Sequence, residues 1–252
     1  MLNSKYFIIR KGDFATDANK KIYYTIFSIL LCLDDYFMNN SIDCFRIMTG
    51  STIVWSIIEF ILHYTKTRII KPMYLTNYYN NNKILMPRPL SIILQGSQEG
   101  GVVTTFGLYF GDRIHNLICL LYLHVFIGYI ILNLCSKQNT SRVASKRHIN
   151  NNGSLLTMTT ITIYNMYNLY LYPRHIIRQI RMLFVMIYVC SVWTYIAYKK
   201  GFRDVETHYI QNSRTIVEKK SMYNTCFVLG YDVFFEIGIA YLTFYNLFIV
   251  KY

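Results

Sequence analysis

Stretches of about 20 mostly apolar residues recur along this chain, each long enough to carry a helix through a hydrocarbon core of ~30 Å. Nothing else in the sequence restricts the fold as strongly. A backbone in lipid must satisfy its own hydrogen bonds, which leaves helices or closed barrels. The blocks 114–134, 182–198 and 226–250 are almost uninterrupted. Those at 22–38 and 44–63 carry charges, Asp34 and Asp35 in one, Arg46 and Glu59 in the other. The block 90–111 is rich in glycine, and 154–172 in Thr, Asn and Tyr. All four prolines fall between blocks, where a missing N–H costs least. The expectation is an all-α, multi-pass bundle of five to seven spans, forming one integral membrane domain over 1–252 behind a basic polar tail, 1–21.

Charge placement selects among those counts. The chain carries a formal +13, with 26 basic residues. If all seven blocks span, most of the basic residues fall in the tail and in the segments 64–89, 135–153 and 199–225, all on one side. Asp34, Asp35, Asp43 and Asp112 lie at or near the other. The positive-inside rule then puts the N-terminus on the cytosolic side and the C-terminus across the membrane. One stretch disagrees: Arg174, Arg178 and Arg181 stand on the wrong side, which suggests an amphipathic turn on the headgroups. The basic segments read as topology determinants and contacts to anionic lipid headgroups. Nucleic-acid binding would gather them on a soluble face, so no nucleic-acid partner is expected.

Gly96, Gly100, Gly107 and Gly111 form two G-x-x-x-G pairs within about 60° of one another on an ideal helix. They predict a close helix–helix contact. The rival is a glycine-rich re-entrant loop offering backbone N–H groups to an anion.

Ionisable groups inside spans are costly and default to functional hypotheses. Five candidates follow: Glu59, His63, Glu99, Asp232 and Glu236. Glu59 and His63 stand at i, i+4 with Trp55 one turn earlier, a spacing that suits a metal or a proton relay. Asp232 and Glu236 are one turn apart, and Thr243 and Asn246 continue their face. That stripe reads as a polar seam against a neighbouring helix, or else as a proton or cation path or metal-binding carboxylate pair. Glu99 lies beside the glycine face and suggests an interhelical hydrogen bond. The six histidines show none of the paired spacing of membrane di-iron hydroxylases, and the six cysteines contain no C-x-x-C. No metal and no cofactor are expected. The abundance of Tyr, Asn, Ile and Lys is the bias of an AT-rich genome and says little about function.

The first functional expectation is a non-catalytic structural or assembly component of a cellular, organellar or viral membrane, with other membrane proteins as partners. The alternative is a membrane-embedded lipid-modifying enzyme or small transporter built on the five candidates. Convergence of those side chains on one cavity separates the two.

Overall fold

The computed structural model describes residues 5–12, 16–70, 72–77, 82–136, 143–149, 151–211 and 214–250. It is mostly helical. The rods are α1 (Ala18–Asn39), α2 (Asp43–Tyr64), α3 (Arg88–Gly96) running through a π-helical stretch Ser97–Val102 into α4 (Val103–Asp112), α5 (Leu117–Ser136), α6 (Asn151–Leu171), α7 (Ile176–Lys199), and α8 (Met222–Tyr231) running through π-helical Asp232–Ile239 into α9 (Ala240–Phe248). Each apolar block of the sequence thus lies within one continuous rod, except for the last two residues of 226–250 and short edges at 114–116 and 172. The glycine-rich block is helix, not a re-entrant loop. The block at 182–198 is longer than its apolar part, because the helix begins at Ile176.

Among the described residues, four helices are long and apolar enough to cross a membrane: Asp43–Tyr64, Leu117–Cys135, Pro173–Lys199 and Met222–Phe248. Only 17% of the apolar window of Leu117–Cys135 is buried, so its leucines and isoleucines face outward. Ile53, Ile163, Phe184 and Phe227 continue the exposed apolar surface on other rods. A surface of that extent is the mark of a membrane or partner-facing protein.

The all-α expectation fails at the connections. Five strands form an antiparallel sheet in the order β2-β5-β1-β6-β7: β1 (Lys5–Lys11), β2 (Arg68–Ile70), β5 (Val143–Ile149), β6 (Arg203–Gln211) and β7 (Arg214–Lys219). β3 (Tyr74–Thr76) and β4 (Lys83–Leu85) pair as a small hairpin. The strands come from the tail and from the three basic segments, so those four pieces meet at one end of the bundle. The turns at 40–42, 113–116 and 172–175 lie at the other. The strands were hidden because they are short, basic, and paired with segments far away in the chain.

Local signals set the ends of the rods. Asn116 accepts hydrogen bonds at Oδ1 from the N–H groups of Ile118 (3.0 Å) and Cys119 (3.2 Å), capping α5. α7 stops at Gly201, whose φ of 75° is open to glycine. The N–H of Gly201 bonds Tyr198 O and that of Phe202 bonds Ala197 O, a Schellman closure that turns the chain into β6.

Close packing organises the interior. A Cβ on Gly96 would meet Ser56 of α2, and one on Gly100 would meet Ser51 O at 2.5 Å. Gly107 and Gly111 instead face Met182 and Met186 of α7. The four glycines therefore serve two neighbours rather than one. The wider π turns of Ser97–Val102, which include Gly100, shift the later pair off the face of the first. Phe106, Phe110, Met182, Met186 and Tyr245 fill the main core.

At the end away from the sheet, one of the three discordant arginines finds carboxylate partners. Arg178 donates to Asp112 (2.7 and 2.8 Å) and to Asp43 (2.6 Å). Arg113 donates to Asp35 at 2.6 Å and lies over the Tyr109 ring. Arg178 thus belongs to an ion-pair cluster linking α2, α4 and α7 and not to a headgroup contact.

Candidate functional site: an arginine-roofed chamber

Residues alternate across a strand, so one face of the sheet is set by every second position. On β1 the inward set is Ile8 and Arg10. Registry places Ile8 opposite Arg147 of β5 and Val205 of β6, Arg10 opposite Arg203, and Arg68 of β2 opposite Arg147. The sheet therefore turns four arginines onto the helix bundle, two pairs of them directly opposite one another. Like charges in that position destabilise a sheet unless something neutralises them.

Carboxylates from the helices do so. Glu99, in the π-helical stretch after α3, takes Arg68 in a bidentate pair (2.7 and 2.8 Å) together with Arg10. It also accepts from Gln95 Nε2 (2.5 Å) and Trp55 Nε1 (3.2 Å). Glu59 of α2, fully buried, accepts from the same Arg68. Asp232 accepts from Arg203 and, at 3.1 Å, from Arg147. Trp193 stands between the two groups, with Arg10 and Arg203 each over its ring. Burial opposes the charge on Arg68. The Glu99 and Glu59 carboxylates outweigh that cost and hold its pKa above the ordinary arginine value.

Beneath this roof lies a cavity of about 600 Å³. α1 and α7 contribute polar groups near the sheet and apolar ones deeper. α1 gives Lys20 and Lys21 and then Tyr24; α7 gives Trp193 and then Val189 and Val185. Among the described residues, no group of three His, Cys, Asp or Glu side chains is placed to hold a metal.

The structure brings three of the five sequence candidates to this place: Glu99 and Asp232 line the cavity and Glu59 stands behind them. His63 does not join them. It sits on the last turn of α2, and Glu59 turns to Arg68 instead of toward it, so the i, i+4 pair does not form a site. The side chain of Glu236 lies outside the described residues. The stripe below Asp232 is a seam. Asn246 and Thr243 donate to Asn165 Oδ1 of α6 at 2.8 and 3.3 Å, and Gln179 donates to Asn246 at 2.9 Å.

The residues missed from sequence are Arg10, Arg68, Arg147, Arg203 and Lys21. For Arg10 and Arg203 the signal is an apolar residue two positions away on the same strand face, Ile8 and Val205. In a chain with so many loop charges, that signal is masked by topology. No protein-family model, curated protein or solved structure matches the chain.

Proposed function

We propose that this chain is a non-catalytic multi-pass component of a membrane, crossing it seven times with the sheet on the cytosolic side. The observation that carries the reading is that arginines of the sheet hold the three carboxylates of the chamber, Glu59 through one of its two oxygens. General acid–base or nucleophilic work needs a group free to exchange a proton or attack. Glu59, Glu99 and Asp232 are each held by arginines from the sheet. In this reading the carboxylates seat a cap on the bundle, and the partners are the bilayer, anionic headgroups at the basic rim, and other membrane proteins. The sheet supports the seven-pass count: its strands leave and re-enter the bundle at one end, while the intervening turns lie at the other. The pairing of Arg178 with carboxylates accounts for one of the three arginines that stand against that count.

Site-specific protease sequences placed at the β3–β4 turn (between Asn77 and Asn82) and at Asn116 test the topology in sealed vesicles. Cleavage of the first from the cytosolic face only, and of the second from the opposite face only, is expected. Cleavage of both from one face would overturn the reading.

A further inference from the structure

Among the described residues, Lys21 is a buried cation of the chamber that no carboxylate holds in an ion pair. It stands in the first turn of α1, 7% exposed, and its Nζ donates to Oε1 of Gln95. That partner is a neutral amide, itself bonded to Glu99. An ammonium carries three donors and Lys21 uses one. A buried charge with only a neutral partner is costly unless a counter-charge joins it.

The cavity that Lys21 lines has a matching imbalance. Arg10, Lys20, Lys21, Arg68 and Arg147 reach its walls, against Glu99 and Asp232. Farther from the sheet the walls are Val103, Phe106, Phe126, Val185 and Val189. One end attracts an anion and the other excludes water. We propose that the chamber binds a single-chain amphiphile with an anionic head, carboxylate or phosphate, its head on Lys21 and its chain along α4, α5 and α7.

The size suits one chain. With each carbon of an acyl chain given about the ~30 Å³ of a water molecule, 16 carbons occupy ~480 Å³. The cavity of about 600 Å³ has room for them. A free fatty acid and a lysophosphatidate share the required chemistry. The inference does not depend on the number of crossings or on which face of the membrane the sheet occupies.

The test uses the full chain in nanodiscs of phosphatidylcholine, with empty nanodiscs as background. Palmitate, 1-palmitoyl-lysophosphatidate, hexadecanol and inorganic phosphate compete against a fluorescent fatty acid. We expect at least one of the two anionic amphiphiles to displace the probe at least about tenfold better than hexadecanol, with phosphate alone ineffective. The tighter of the two identifies the headgroup. Lys21→Gln is expected to weaken the anionic amphiphiles about tenfold and leave hexadecanol unchanged, as one lost charge-assisted bond implies. Val189→Trp, which fills the apolar end, is expected to weaken every chained probe. Equal displacement by hexadecanol and both anionic amphiphiles, or unchanged affinity in Lys21→Gln, would overturn the proposal. If Lys21→Gln does not fold, the wild-type comparison of headgroups decides alone.

Discussion

Glu99 carries more of the chamber than any other side chain. Its two oxygens receive Arg10, Arg68, Gln95 and Trp55. A buried ion pair adds little net stability against an apolar replacement, but removing one partner strands the other at a cost of about 3–5 kcal/mol. Glu99→Gln leaves Arg10 without its carboxylate and Arg68 with only Glu59, so we expect a loss of roughly that size in thermal unfolding. Asp43→Asn takes one of two carboxylates from a part-exposed arginine at the other end, and a loss below about 1 kcal/mol is expected there. Equal losses in the two variants would mean that Glu99 is not an anchor. The candidate site was legible as far as its acids: a carboxylate inside an apolar block is conspicuous because lipid cannot hold it. Its bases were not. Arg10, Arg68, Arg147 and Arg203 lie outside the blocks, where a positive charge already has the bilayer surface as an explanation.

At the scale of elements, the rods were legible because blocks of about 20 mostly apolar residues mark them, whatever they pack against. The sheet was not. Its strands pair across long sequence separations, and its inner face is basic where an ordinary half-buried strand would be apolar. The glycine contact was legible as a small-residue face, but not its division between α2 and α7. That division follows from π turns the sequence does not announce. Its energetic consequence is open to measurement. A methyl at Gly100 would press on Ser51 O at 2.5 Å and Trp55 Cβ at 2.8 Å, and the backbone atom cannot step aside. Overpacking of that kind costs about 1–3 kcal/mol. At Gly128, on the outward-facing α5, a methyl meets nothing within 4 Å. Gly100→Ala should therefore lower the unfolding temperature in detergent, while Gly128→Ala should leave it unchanged or raise it slightly through helix propensity. A harmless Gly100→Ala would show that α2 and the π-helical stretch are not in close contact.

The whole molecule is closed by a strand that belongs to no connection between rods. β1 lies at the centre of the sheet, between β5 and β6, and supplies Arg10 to Glu99. Without it, β2-β5 and β6-β7 are two separate pairs, each with an unpaired inner edge, and two-stranded units are marginal in water. The cap is therefore one cooperative body, although its pieces leave the bundle at four places. Deleting residues 1–12 should let the amides of β5 and β6 exchange at least about tenfold faster, since exchange protection follows the local opening free energy. The amides of α4 and of the half of α7 packed on it draw on contacts away from β1: Gly107 and Gly111 against Met182 and Met186. Their protection should hold. Hydrogen exchange with mass-spectrometric readout resolves the two groups of peptides. Retained protection in β5 and β6 after the deletion would mean that the helices' carboxylates alone hold the cap, and loss throughout would mean that cap and bundle fold as one.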